Sequence, residues 1–174
     1  MRVFQIKEEL IPRSDKIFVS FRKVNYEDSF CLIFKTNKIL DVDFIIAKLI
    51  KSIPKWLIIL LNFRNLIAHI FGLKTGKIKN IIGNLTNLNL KQNQSIGDLL
   101  IFFKENNHLI LELKDKHLDF RFSIYIVQED GITRLSLSTI VKFNNIFGGI
   151  YFFLISPFHR LIIPSILKRI SCEL

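Results

Sequence analysis

The last third of the chain alternates apolar and polar residues along two neighbouring segments and then enters one long apolar stretch. In residues 118–126 the apolar side chains stand at every second position, and residues 135–143 repeat the pattern. A period of two puts these side chains on one face of a strand. Residues 128–131 (Gln-Glu-Asp-Gly) lie between the segments and predict a hairpin turn. The order of elements therefore predicts antiparallel strands that lead directly into a closing apolar helix.

Shorter strand patterns precede this pair and complete a sheet. We predict strands over residues 26–34, 99–104 and 108–113, with turns at 105–107 and 114–116. Four consecutive strands leave no length for the crossover helices of a parallel sheet. The predicted fold class is α+β, an antiparallel sheet wrapped on the C-terminal helix, in a single domain over residues 1–174.

Two shorter helices are predicted after the first strand. Asp41 or Asp43 caps the first helix, whose apolar residues between 45 and 53 recur at helical spacing. Pro54 interrupts this helix, so Trp56 begins the second one, which stops at Gly72. Residues 73–97 are polar and Asn-rich and predict a long connection.

The formal charge of +10 has two interpretations. In the favoured one, A+T-rich coding explains a chain rich in Ile, Lys, Asn and Phe. In the other, residues 48–79, which contain no Asp or Glu, form a basic helical surface that docks on an acidic partner or an anionic membrane. Basic and aromatic residues are not interleaved as nucleotide stacking requires, so no nucleic-acid partner is expected. The oligomeric state is left open.

We expect a cytoplasmic protein without a membrane span, a metal or a cofactor. The longest uncharged run, residues 143–158, is shorter than the about 20 apolar residues of a span. The N-terminus lacks the apolar core of a signal peptide, and the two cysteines form no disulfide framework. Nucleotide-binding glycine loops, Gly-x-Ser-x-Gly and metal-ligand spacings are missing from the sequence, so no catalytic residue is assigned.

Three polar residues, His117, Asp119 and Arg121, alternate on the strand face opposite the apolar one. One interpretation is an acid/base or anion-binding patch, in which the carboxylate orients the imidazole beside the guanidinium. The other is a polar outer face with an ion pair worth about 0–1 kcal/mol. The structural interpretation is favoured because no second cluster converges on these residues.

His159 and Arg160 follow a proline in a helix that we expect to be largely buried. The proline frees the carbonyl of Phe153, and this carbonyl could join the imidazole and the guanidinium at one polar spot that contacts a ligand. Alternatively, a carboxylate such as Asp28 or Asp119 satisfies a buried structural pair, which is the favoured interpretation.

Trp56, Arg64 and Tyr151 are further candidates for contact with a ligand. Trp56 is interpreted as a core anchor, with the lid of an apolar cavity or a membrane-interface anchor as alternatives. Arg64 and Tyr151 would orient the polar group of a ligand in an apolar pocket.

Motifs along nearly the whole chain resemble an uncharacterised, largely bacterial family, the domain of unknown function 2867. They comprise residues 26–30, Trp56 with Leu61, Arg64 with Asn65, and residues 71–74, 115–121, 138–141 and 145–160. The family pattern often has a histidine at the position of Asn144 and a basic residue at that of Gly149. This chain departs from the pattern at both.

The resemblance implies a helix-grip fold, similar to START-like, Bet v 1-like and other SRPBCC-like domains, in which a curved antiparallel sheet grips a long C-terminal helix around an apolar cavity. It implies no established activity. Three functions stay open. The favoured one is a non-enzymatic or weakly enzymatic module that binds a small hydrophobic ligand between the sheet and the helix. The second is docking through the basic surface, and the third is a weak enzyme that uses His117 or His159 as acid/base.

Overall fold

One seven-stranded antiparallel sheet and two α-helices make up the part of the chain that the structure describes. The computed structural model describes residues 5–52, 91–96 and 99–172. The strands are β1 (Gln5–Glu8), β2 (Tyr26–Lys35), β3 (Ser95–Ile96), β4 (Leu99–Lys104), β5 (His108–Lys114), β6 (Leu118–Glu129) and β7 (Ile132–Phe143). They lie in the order β1-β2-β7-β6-β5-β4-β3. The helices are α1 (Val42–Lys51) and α2 (Ile146–Ser171), so the predicted α+β class with a long C-terminal helix is confirmed.

The longest strand pair, β6 and β7, is the one with the clearest period in the sequence. The two strands pair along their full lengths and leave only Asp130 and Gly131 in the turn. Both turn residues have positive φ, 51° and 73°, as a type I′ hairpin turn requires. The predicted hairpin is therefore confirmed.

The first long strand closes the sheet against the last one. β2 pairs with β7 along all of its length, and β1 pairs with the outer edge of β2. The prediction that the strand at residue 26 is the first is wrong, because β1 precedes it. The residues of β1 are mostly exposed, and an edge strand held by backbone hydrogen bonds need carry no apolar period.

The face of the sheet toward α2 carries two apolar clusters. The main core joins β2, β4 to β7 and α1 to four residues from the C-terminal half of α2, Ile163, Ile166, Leu167 and Ile170. The small core joins β6 and β7 to residues of α2 that lie nearer its start, Tyr151 and Phe152. The opposite face of the sheet packs against residues 11–24.

Helix α1 begins at one of the two caps that the sequence proposes. The Asp41 side chain accepts a hydrogen bond from the amide of Phe44 at 2.7 Å, which satisfies a free N–H group of the first turn. The predicted second helix from Trp56 lies outside the described residues. So do residues 53–79 of the proposed basic surface and most of the predicted connection.

Helix α2 continues through both of its prolines. Pro157 removes the intrahelical partner of the Phe153 carbonyl, and this carbonyl accepts a hydrogen bond from the Ser156 hydroxyl at 3.3 Å. It is therefore satisfied on an exposed part of the helix. The alternative in which this carbonyl joins His159 and Arg160 at one polar spot is therefore not the observed arrangement, because the two side chains pair with Asp28 and Glu8 instead.

Candidate functional site

Four polar side chains separate the main core from the small core between the sheet and α2. His159 of α2 approaches Asp28 of β2, with 3.0 Å between Nδ1 and Oδ2. The Tyr26 hydroxyl donates to the same oxygen at 2.7 Å, and His159 Nε2 lies 3.4 Å from the Thr139 hydroxyl. Asp28 and Thr139 are opposite each other in β2 and β7. We call these four residues the Asp28–His159 site.

Ordinary strand and helix periods bring the site together. In β2, Asp28 lies one strand period before Phe30 of the main core. In α2, His159 lies about one turn from Ile155 of the small core and one turn from Ile163 of the main core. Asp28 and His159 thus lie on the apolar face of β2 and on the apolar inner face of α2, respectively. The pairing of His159 with Asp28 is one of the two that the sequence analysis named.

The site keeps a negative charge on a buried carboxylate. The Asp28 side chain is 2% exposed. Burial by itself raises the pKa of Asp28, but the hydrogen bond and charge of His159 and the Tyr26 and Thr139 hydroxyls hold this pKa below its ordinary value. Burial, with the hydrogen bond to Asp28 and the charge there, raises the pKa of Tyr26. The proton therefore stays on the phenol while the carboxylate is ionised.

The Asp28–His159 pair has two atoms that can form hydrogen bonds to a bound molecule. With Nδ1 turned to Asp28, His159 directs Nε2 toward Thr139. This nitrogen can exchange a hydrogen bond or a proton with a ligand. Asp28 has a second oxygen, Oδ1, which makes no hydrogen bond of ordinary geometry within the described residues. Both atoms can therefore hydrogen-bond to a polar group that enters the site.

A cavity of about 290 Å³ borders Asp28. Its walls are Glu8, Glu9, Leu10, Ile11, Glu27 and Asp28. Each glutamate is paired with an arginine, in the pairs Glu8–Arg160 at 2.6 Å, Glu9–Arg134 at 3.0 Å and Glu27–Arg13 at 2.7 Å. The arginines therefore balance the charge of the three glutamates in the cavity walls. Asp28 differs from these glutamates because its side chain is almost completely buried.

The other predicted ligand-binding residues lie in different surroundings. Arg160 is half exposed and reaches the cavity wall through its ion pair with Glu8. Tyr151 is buried in the small core. Trp56 and Arg64 lie outside the described residues.

The predicted patch of His117, Asp119 and Arg121 is divided among three separate sets of partners. His117 Nδ1 lies 3.0 Å from the side-chain oxygen of Asn145, at the start of α2. Asp119 pairs with Lys142 at 3.3 Å and accepts a further hydrogen bond from Asn144. Arg121 contacts neither of the other two in any of its hydrogen bonds. The three side chains thus do not form one acid/base site in the described structure.

Arg121 and Glu112 form a buried ion pair on the sheet face away from α2. Their side chains are 1% and 3% exposed, and two guanidinium nitrogens donate to Glu112 Oε1 at 2.9 and 2.7 Å. A third nitrogen donates to the Ile17 carbonyl at 2.8 Å, and the guanidinium lies 3.8 Å over the Phe102 ring. Because residues 11–24 cover this face, the prediction of an exposed polar face is wrong for Arg121.

His108 is a second buried histidine, on the same face as Arg121. Its Nε2 lies 2.9 Å from the Ser123 hydroxyl and 3.8 Å from an Asp15 carboxylate oxygen. Burial lowers the pKa of His108, while the charge of Asp15 acts in the opposite direction. The folded state thus favours the neutral imidazole. Its contribution to stability is complete above the unfolded pKa of about 6.5 and is lost as the pH falls below it.

We therefore expect His108→Gln to reduce the acid sensitivity of the fold. Urea denaturation of the wild type should show a lower free energy of unfolding at about pH 5.5 than at about pH 7.5. The variant should show a smaller difference between the two conditions, because one group that takes up a proton on unfolding is gone. An equal difference in the two proteins would contradict this role of His108.

Potential metal ligands do not cluster in the described structure. Among residues 5–52, 91–96 and 99–172, no group of three or more His, Cys, Asp or Glu side chains is placed to hold a metal ion. Cys31 is buried and Cys172 is exposed, and both are free thiols. The Asp28–His159 site therefore remains the candidate functional site of this part of the chain.

The family of the chain follows from a match of its sequence to a family model. The model described as "Protein of unknown function (DUF2867)" matches residues 20–166. The chain belongs to this family. The resemblance found in the sequence is thus confirmed, and all four residues of the Asp28–His159 site lie within the DUF2867 match.

Comparisons with other proteins add little beyond the DUF2867 family. No curated protein matches the chain. A conserved protein from Geobacillus kaustophilus is 16% identical, with 43% of this chain and 53% of that chain covered and a TM-score of 0.31. This chain thus spans about half the length of that protein. CalU16 from Micromonospora echinospora is 11% identical over 98% of this chain and 94% of its own, with a TM-score of 0.29. These scores are too low to indicate a shared fold.

Proposed function

We propose that this domain binds a small, mainly apolar molecule between the sheet and α2, and that the Asp28–His159 site holds the polar group of that molecule. The observation that carries the proposal is the ionised Asp28 carboxylate, 2% exposed, in an interface that is otherwise built from two apolar cores. A cavity of about 290 Å³, with walls from residues 8–11 and from Glu27 and Asp28, adjoins the site at the β1–β2 edge of the sheet.

Burial of the Asp28 charge costs folding free energy. Removing an ionised carboxylate from water costs several kcal/mol, and apolar side chains of similar volume are often as stabilising as a buried pair or more so. A sheet–helix interface that served packing alone would have no need of Asp28 and His159. Titratable groups with perturbed pKa values concentrate at functional sites, which favours a role in binding.

The architecture supports the same proposal. The pairing of β2 with β7 and the position of α2 across the sheet agree with a helix-grip arrangement, in which ligands lie between sheet and helix. The cavity of about 290 Å³ is slightly smaller than typical small-molecule pockets, which measure roughly 300–1,000 Å³. A ligand of a few carbon atoms with one hydroxyl, carbonyl or amine group matches this space.

A second candidate function is acid/base catalysis by His159. The carboxylate–imidazole pair at 3.0 Å favours it, since Asp28 fixes the orientation of the imidazole. His117, the other histidine considered for this role, has an amide partner in Asn145 instead of a carboxylate. If His159 is catalytic, the bound molecule is converted to a different compound before it is released. If the site only binds, the same molecule is released unchanged.

The first experiment is native mass spectrometry of freshly purified protein, followed by denaturing extraction of any bound molecule. We expect a stoichiometric extra mass that is released on unfolding. Asp28→Asn should lose this mass, because the change removes the negative charge and replaces one acceptor oxygen with an NH₂ donor. Asp119→Asn, the same change at a carboxylate away from the site, should retain it.

A double variant separates a binding role from a structural one. Asp28→Leu with His159→Leu removes both charges together, so we expect a free energy of unfolding equal to that of the wild type or up to about 4 kcal/mol higher, with the ligand lost. Thermal denaturation and native mass spectrometry measure the two effects. A strongly destabilised double variant would show that the Asp28–His159 pair is needed for folding. A folded double variant that still holds the ligand would show that the pair takes no part in binding.

A further inference from the structure

Helix α2 has an apolar outer face in addition to the face that packs on the sheet. The large apolar side chains on the outer side are 38–76% exposed: Ile150, Phe153, Leu154, Phe158 and Leu161. Their spacing of three, four and seven residues places them along one side of the helix. We call these five residues the outer face. Contiguous exposed apolar surface of this kind marks binding to a partner or a membrane.

Basic residues stand at both ends of the outer face. Lys168 continues the line of Leu154 and Leu161 at seven-residue spacing, and Arg169 follows it; both are exposed. At the other end, the exposed Lys116 is held beside the start of α2, because its carbonyl accepts a hydrogen bond from the Asn145 side chain at 3.1 Å. No Asp or Glu occurs anywhere in α2. An apolar strip with basic ends complements the acyl boundary and headgroups of an anionic bilayer.

The position of α2 in the fold decides between lying on a bilayer and crossing it. Helix α2 is long and apolar enough to cross a membrane by length and composition alone. This ability was not predicted from the shorter uncharged run at residues 143–158. The inner face of α2, however, is buried in both cores and carries His159 against Asp28. Crossing would require these contacts to break. Lying in the plane of the interface leaves them intact and covers only the outer face.

The geometry points to an anionic membrane surface as the partner of the outer face. We propose that the five apolar side chains enter the boundary between headgroups and acyl chains, while Lys116, Lys168 and Arg169 contact anionic headgroups. A second copy of the chain is disfavoured as the occupant, because two molecules with a formal charge of +10 repel each other. The proposal is independent of ligand binding at the Asp28–His159 site.

Vesicle co-sedimentation of the whole 174-residue chain tests the proposal. We expect binding to vesicles of phosphatidylcholine with phosphatidylserine, weaker binding to phosphatidylcholine alone, and loss of affinity as salt rises. Phe153→Asp and Leu161→Asp should each weaken binding about tenfold or more, because a charge replaces an inserted apolar side chain. Ile39→Asp is the matched control, since Ile39 is a 96% exposed apolar residue away from α2.

Each other outcome overturns the proposal. No binding of the wild type to either vesicle, or equal binding of Phe153→Asp, Leu161→Asp and Ile39→Asp, would remove the membrane as partner. A wild-type dimer that the two α2 variants dissociate, measured by analytical ultracentrifugation, would assign the outer face to a second copy. A large fall in Tm in both α2 variants would mean that the face packs within the chain.

Discussion

Gly148→Ala is expected to lose about 3 kcal/mol or more of folding stability, whereas Gly149→Ala should fold as well as the wild type or better. A Cβ atom on Gly148 would overlap the carbonyl oxygen of His117 and lie 2.8 Å from its carbonyl carbon. These are backbone atoms, so no change of rotamer relieves the overlap. The same carbonyl is already fixed by a hydrogen bond from the amide of Asn144 at 2.9 Å.

The neighbouring glycine provides the control. A Cβ atom on Gly149 would meet a ring carbon of Phe143 at 3.5 Å, an ordinary van der Waals contact. Alanine also has a helix propensity about 1 kcal/mol better than that of glycine. Urea denaturation of both variants measures the contrast. Similar midpoints for Gly148→Ala and Gly149→Ala would mean that the start of α2 does not press on the turn between β5 and β6.

The second large effect is expected for Glu112→Gln, which leaves the Arg121 guanidinium buried without a counter-charge. Breaking a buried ion pair in this way costs about 3–5 kcal/mol. Both side chains are almost completely buried, and residues 11–24 separate them from water. Chemical denaturation at neutral pH should show a much lower midpoint than that of the wild type.

Glu105→Gln makes the identical chemical change at the surface. Glu105 pairs with Lys16 at 3.0 Å, and both side chains are about half exposed. The loss of such a pair changes stability by about 1 kcal/mol or less. If the two glutamine variants were equally stable, the Glu112–Arg121 pair would contribute no more than a surface pair.

β6 and β7 were predictable because their period is local, and α2 was predictable because its apolar residues form one nearly continuous stretch. β6 and β7 alternate strictly, and the Asp-Gly pair between them has the residues that a type I′ turn requires. Burial of Arg121 was not predictable in the same way. Its position in the strand indicates which face it occupies, but the cover supplied by residues 11–24 depends on a non-periodic segment that is distant in sequence.

The candidate site was predictable in part for a related reason. A histidine in an apolar helix needs a polar partner, so His159 stood out, and Asp28 was one of two carboxylates named for it. Tyr26 and Thr139 were missed as site residues. Thr139 joins Asp28 through the register between β2 and β7, and no single strand contains the information that sets its register with a distant partner.

The pairing of β2 with β7 also determines when the fold can be completed. The hairpins from β4 to β7 join neighbouring segments and can form early, whereas β2 must wait for a partner made about a hundred residues later. During synthesis, the edge of β2 that pairs with β7 therefore stays unpaired, while only β1 is available for the other edge. The exposed strand carries side chains that the completed fold buries, including Phe30, Leu32 and Phe34. Unpaired apolar strands are prone to aggregate. Slow release of the chain from the ribosome should raise the yield of folded protein. A chaperone that holds β2 until β7 has been made should have the same effect.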